Sequence, residues 1–150
     1  MNLQSPHLTI EMTQEIFYCQ EALSLESGES FPEFQLSFTT QGQLNANKDN
    51  VIWVLHALTG DANPHEWWSG LIGEDKFFDP SKYFIVCANF LGSCYGSTQP
   101  LSNNPNNGKP YYYDFPNITT RDIASALDKL RIHLGLEKIN TVIGGSLGGQ

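Results

Sequence analysis

The strongest constraint on this chain lies near its end, where Ile139-Asn140-Thr141-Val142-Ile143 runs straight into Gly144-Gly145-Ser146-Leu147-Gly148-Gly149. A serine with glycine two residues before and two after it, directly behind a strand, is the pattern of a strained strand-to-helix turn. Such a turn lifts the serine hydroxyl above the sheet. Side chains at the flanking positions would collide with neighbouring backbone, so glycine is required there. The serine then stands at a helix N-terminus, where unpaired N–H groups and the positive end of the dipole favour a developing oxyanion. Ser146 is therefore the candidate nucleophile. The rival reading is a glycine turn that binds phosphate. A dinucleotide fingerprint, however, requires Gly-x-Gly-x-x-Gly near the first strand of a βαβ unit, and this run has neither the pattern nor the position.

The rest of the chain predicts a sheet to carry that turn. Ile16-Phe17-Tyr18 and Phe34-Gln35-Leu36-Ser37-Phe38 read as antiparallel strands, the second alternating apolar and polar. Val51–Leu55 and Tyr83–Ala88 are continuous apolar runs, as expected of strands covered on both faces. A short helix is predicted from about Pro64 to Ile72, carrying Trp67, Trp68 and Leu71. Ser102 to Pro110 is a turn-rich loop. A longer helix follows, with Thr119 as cap and Asp122 three residues on. Ile123, Ala126, Leu127, Leu130 and Leu134 form its apolar stripe, and Gly135 supplies a left-handed end. Ile139–Ile143 returns as a buried strand. Strands alternating with helices call for parallel pairing, and the early strands add an antiparallel edge. The predicted class is α/β, with a mixed, mainly parallel sheet.

A second chemical element is His56-Ala57-Leu58-Thr59-Gly60-Asp61, directly after the apolar run Val51–Leu55. In sheets that present a serine this way, the loop after such a strand donates one N–H to the oxyanion and the residue after the serine donates another. Leu58 and Leu147 are the candidate backbone donors, with an ordinary turn as the alternative. His56 is expected to shape the turn through a hydrogen bond rather than to act as general base. His65 sits near a helix start, His133 lies off its helix stripe and His7 is in the N-terminal tail.

Composition narrows the partners. A net charge of −8 and a pI of about 4.8 argue against a nucleic-acid partner, which needs clustered Lys and Arg. Six Glu precede the first basic residue, Lys48, and read as a solvated acidic face. Cys19, Cys87 and Cys94 show no metal-ligand spacing and suggest no disulfide framework, which fits a reducing cytoplasm. No secretory signal and no spanning apolar stretch is evident, so no membrane association is expected.

Taken together, His56–Asp61, Trp67–Gly73, Asn89–Thr98, Gly108–Pro110, Asp114–Pro116, Thr119–Asp122 and Gly144–Gly149 resemble homoserine O-acetyltransferase, a family of α/β-hydrolase type. The resemblance covers roughly residues 34–150. Leu147, where Met is frequent, and Gln99, where Gly is common, depart from the pattern without removing a catalytic atom. The resemblance implies acyl transfer from acetyl-CoA to the homoserine hydroxyl through Ser146, in methionine biosynthesis. Acetyl-CoA and homoserine would be substrates, with no metal or tightly held cofactor, and a homodimer is one option for the full-length form. In this fold the triad runs Ser, then Asp or Glu, then His. The Asp, the His and the Arg that engages homoserine are thus expected beyond Ser146. Residues 1–150 are accordingly expected to be the N-terminal part of a single domain, inactive and poorly soluble alone. Succinyl donors, a serine acceptor, a serine esterase on the same scaffold and a non-catalytic module remain alternatives.

Overall fold

The computed structural model describes residues 12–150; His7 and Glu11 lie outside them. The strands are β1 (Thr13–Cys19), β2 (Leu23–Ser24), β3 (Ser30–Phe31), β4 (Phe34–Gln41), β5 (Val51–Leu55), β6 (Phe84–Ala88), β7 (Asn103–Asn104), β8 (Lys109–Pro110) and β9 (Thr141–Gly144). Helix α1 (Pro64–Trp67) joins β5 to β6, and α2 (Thr120–His133) leads into β9. The main sheet has the order β1-β4-β6-β5-β9. β1–β4 and β4–β6 are antiparallel, while β6–β5 and β5–β9 are parallel. This is the mixed α/β sheet with an antiparallel N-terminal edge that the strand pattern predicts.

Burial on both faces explains the unbroken apolar runs. Val51 and Trp53 of β5 join Val86 and Ala88 of β6 under α2, through Ala126, Leu127 and Leu130. The intervening Ile52, Val54, Ile85 and Cys87 face the opposite core, which holds Ala62, Ile72 and Phe78 with Trp67, Trp68 and Leu71 packed against it. Each strand therefore alternates between two apolar environments rather than between core and water. Cys19, Cys87 and Cys94 are all free thiols.

Both ends of α2 follow from its sequence. The Thr119 hydroxyl accepts from the Asp122 N–H, and the Asp122 carboxylate accepts from the Thr119 N–H, which makes a reciprocal capping box. Gly135 adopts φ +65°; its N–H donates to Ile132 and the Leu136 N–H donates to Arg131. Those two bonds are the Schellman pair that satisfies the last carbonyls of a helix.

Three elements differ from expectation. α1 stops at Trp67 instead of running to Ile72, because Trp68 leaves helical backbone (φ −126°, ψ 37°) ahead of Ser69 and Gly70. The chain then turns so that Ile72 bridges to Phe78. β9 is not a buried strand: it begins at Thr141 and is the outer strand among the described residues, with Val142 57% exposed. Finally, the acidic N-terminal segment is only partly a solvated face. Glu21 pairs with Lys129 and Glu26 with Arg121, so the β2–β3 hairpin is tied to α2 by charge.

Asp122 is the tie point. It is 3% exposed, and its two oxygens accept backbone N–H groups from Thr119 (2.9 Å) and from Glu26 across the hairpin (3.0 Å). Burial alone would raise its pKa, but these donors and the Thr119 hydroxyl outweigh that and hold the carboxyl below its ordinary range. A carboxyl depressed in the folded state contributes stability above its unfolded pKa and loses it as pH falls through the lower folded value. Asp122→Ala should cost about 1–3 kcal/mol in denaturant unfolding at neutral pH. The gap from the unmutated protein should narrow as the pH drops below the carboxylate range.

Candidate active site

The parallel register decides which loops meet. Leu55 of β5 stands opposite Gly144 of β9, and Val54 of β5 opposite Cys87 of β6. The loops after β5, β6 and β9 therefore leave the same edge of the sheet at nearly the same level. The chain places β6 on one side of β5 and then crosses by way of α2 to place β9 on the other. Such a reversal of strand order opens a crevice at the carboxyl ends of the strands, where α/β sheets bind ligands.

After β9, Gly145 is extended (φ −129°, ψ 149°) and Ser146 adopts φ +57° at the start of a single 3-10 turn, Ser146–Gly149. A left-handed non-glycine residue costs on the order of 1–3 kcal/mol and persists only where its surroundings impose it. Here the backbone contacts impose it. A Cβ on Gly144 would lie 2.1 Å from the Gly148 carbonyl oxygen, and one on Gly148 would lie 2.3 Å from the Leu55 oxygen and 2.8 Å from that of His56. Gly145 and Gly149 have room, with nearest atoms at 3.8 and 3.5 Å. The two glycines that flank Ser146 at a spacing of two are the ones sterically required; the other two are not. The Ser146 side chain is exposed. Leu147 stands early in the turn, where an N–H has no acceptor within the turn itself.

The loop after β5 is held from inside. His56 is 1% exposed and stacks on Phe90, with ring centroids 4.0 Å apart. Its Nδ1 lies 2.7 Å from the Ala57 carbonyl oxygen and its Nε2 lies 3.3 Å from the Phe90 N–H. A carbonyl can only accept and an N–H can only donate, so Nδ1 carries the proton and Nε2 is bare. Burial lowers the His56 pKa, against smaller opposing effects from the Ala57 carbonyl and Asp61, and favours that neutral form. The Gly60 N–H closes the turn on Ala57 (2.8 Å). Leu58 is left 75% exposed at its tip, its N–H bonded to no carbonyl among the described residues. One ring nitrogen of His56 thus holds its own loop and the other joins that loop to the one after β6, as its place in the sequence suggested.

Of the other described histidines, neither makes a hydrogen bond to the serine turn or to the His56 loop. His65 is the second residue of α1, and His133 ends α2, where its ring lies 4.7 Å from that of Phe17. Two residues near the turn were not singled out from sequence for any part in it. Phe90 carries the His56 ring, and Trp68 supplies the atom nearest to a Cβ built on Gly145. Only three-dimensional proximity reveals them. Among the described residues no group of three His, Cys, Asp or Glu is arranged to hold a metal ion, and no helix is long and apolar enough to cross a membrane.

Comparisons with known proteins converge on this architecture. Residues 50–150 match the model of the alpha/beta hydrolase fold family. The homoserine O-acetyltransferase of Chlorobaculum parvum is 53% identical over 134 residues, which is 89% of this chain and 38% of that protein. The homoserine O-acetyltransferase of Chlorobaculum tepidum is 47% identical over 94% of this chain and 40% of its own length. The chain thus spans about two-fifths of the length of these two relatives. Among solved structures, homoserine O-acetyltransferase from Bacillus anthracis superposes with a TM-score of 0.80 at 30% identity, covering 92% of this chain and 41% of that one. An acetylester hydrolase from Corynebacterium glutamicum gives 0.77 at 31% identity, over 91% and 38%. With its sheet order, its serine turn and this match over two-thirds of its length, the chain belongs to the alpha/beta hydrolase fold family.

Proposed function

We propose that this chain carries the nucleophile half of a homoserine O-acetyltransferase, with Ser146 accepting the acetyl group. The observation that carries the reading is the strained turn. Ser146 is held at φ +57° between two glycines that admit no Cβ, beside the loop of Leu58. Identity near 50% to homoserine O-acetyltransferases supports an acetyl group and a homoserine acceptor.

In this mechanism the Ser146 Oγ attacks the thioester carbonyl of acetyl-CoA as its proton passes to a general base. The carbonyl oxygen becomes an oxyanion, to which the N–H groups of Leu58 and Leu147 donate in this reading. Collapse of the tetrahedral species expels the CoA thiolate, which takes up a proton, and leaves acetyl-Ser146. The homoserine hydroxyl then attacks the ester, and Ser146 recovers its proton. Splitting the transfer into two covalent steps is the use of an activated serine. His56 cannot serve as the base without releasing Ala57 or Phe90. The base, its acidic partner and the group that recognises the homoserine carboxylate are assigned to sequence that follows Ser146 in the longer relatives. A soluble cytoplasmic setting, and a homodimer as one option for the longer form, accompany this reading.

A second reading rests on the acetylester hydrolase neighbour. With water in place of homoserine, the same acyl-serine would make an esterase. In the protein as encoded, CoA release from acetyl-CoA should depend on homoserine; release at the same rate without it selects the esterase. Ser146→Ala should lower turnover at least about a thousand-fold. Gly148→Ala forces a Cβ against the Leu55 and His56 carbonyls, and should cost about 1–3 kcal/mol of stability together with most activity. Gly149→Ala, which meets only ordinary contact distances, should be nearly silent in both assays.

A further inference from the structure

The peptide unit between Ala57 and Leu58 is held at one end. Its carbonyl oxygen accepts from the His56 Nδ1–H at 2.7 Å and from the Gly60 N–H at 2.8 Å. At its other end, the Leu58 N–H meets no carbonyl among the described residues. A peptide unit is planar, and in its trans form the C=O and N–H point in opposite directions. No cis peptide bond occurs among the described residues. Fixing the Ala57 oxygen therefore fixes the line along which the Leu58 N–H points. Two donors on one carbonyl also draw charge toward its oxygen, which makes the N–H of the same unit a stronger donor.

Those two donors are not equivalent. Gly60 closes a turn whose middle residues, Leu58 and Thr59, are exposed, so water competes for its bond. His56 reaches the same oxygen from the core, at 1% exposure. Only one orientation of its ring works. Stacked on Phe90, it accepts the Phe90 N–H at Nε2 while Nδ1–H donates to Ala57. Turning the ring over would set C–H edges where both nitrogens stood and lose both bonds. The bond at Nε2 thus keeps the proton on Nδ1, where the Ala57 carbonyl needs it. A Cβ on Gly60 would lie 3.1 Å from the His56 Cβ and 3.3 Å from the Ala57 oxygen, so the turn closes tightly over the same group.

We infer that His56 is a positioning residue for acylation, which acts through the Ala57 carbonyl to aim the Leu58 N–H at the developing oxyanion. The inference rests on the acyl-serine chemistry proposed above and holds whichever acceptor discharges the enzyme. It is distinct from a general-base role, because the Nδ1 proton stays in its bond to Ala57 throughout. The effect belongs to the transition state, where the oxygen carries its charge, so kcat should respond and KM should not.

Two substitutions separate the two nitrogens. In His56→Asn the amide nitrogen stands near the place of Nδ1 and can donate to Ala57. In His56→Gln the longer amide reaches the place of Nε2 and leaves Ala57 with Gly60 alone. Both lose the ring stack on Phe90, so both should lower the thermal midpoint to a similar extent. Turnover of p-nitrophenyl acetate by the protein as encoded reads acylation and deacylation, which form an oxyanion at the same place. His56→Asn should keep kcat within about three-fold of the unmutated protein, and His56→Gln should lose about thirty- to a hundred-fold, with KM within about two-fold in both. Equal losses in the two variants, or the greater loss in His56→Asn, overturn the inference. If neither variant folds, the unmutated protein decides: NMR with isotopic nitrogen in histidine should place the His56 proton on Nδ1, and a proton on Nε2 overturns the inference. Nitrophenolate release no faster in the unmutated protein than in Ser146→Ala overturns the acyl-serine reading itself, and this inference with it.

Discussion

The backbone approach of β9 to β5 governs what this molecule can do. Leu55 and Gly144 pair in parallel register, and the turn that follows folds Gly148 onto the Leu55 and His56 carbonyls. No side chain fits between these backbones, so the turn is compressed and Ser146 is pushed into left-handed conformation. The energy of that strain is drawn from the sheet. Val51, Ile52, Trp53 and Val54, all buried, fix β5 firmly enough to act as the anvil. The serine is thus presented by packing some distance beneath it.

The His56 ring extends the same logic to the neighbouring loop. It is buried, neutral and bonded at both nitrogens, and it ties the Ala57–Gly60 turn to the first residues after β6. Three loops from three adjacent parallel strands are thereby held as a unit: one carries the serine, one carries Leu58, whose N–H meets no carbonyl among the described residues, and one the clamp. Preorganised N–H groups matter in acyl transfer because they need not reorient as charge develops. On the other side of the sheet order, the β2–β3 hairpin is tied to α2 through Asp122, Glu26 and Lys129. That fastening stabilises the crossover which delivers β9 to its place.

Much of this was legible in the residues. Val51–Leu55 and Tyr83–Ala88 announced strands covered on both faces, and the Thr119–Asp122 box and Gly135 marked both ends of α2, since caps are local chemistry. The paired glycines around Ser146 were equally local, because the collision they avoid follows from the turn itself. What escaped was long-range. The β2 and β3 strands are two residues each, too short for any periodicity, and their partner contacts lie about a hundred positions away in α2. The early end of α1 depends on Ile72 bridging to Phe78, which overrides the apolar spacing of Trp67, Trp68 and Leu71. β9 read as buried because Ile139 and Ile143 are apolar, yet burial of Val142 needs a neighbour that the described residues do not supply.

On the proposed reading, backbone strain at the β5–β9 contact makes Ser146 the acyl acceptor. The most direct measurement is peptide mapping by tandem mass spectrometry after the protein as encoded is mixed with acetyl-CoA and quenched in acid without homoserine. A single acetyl group is expected on the peptide containing Gly144–Gly149, localised to Ser146 and discharged when homoserine is added before the quench. An acetyl group on any other residue, persisting after homoserine is added, would contradict it.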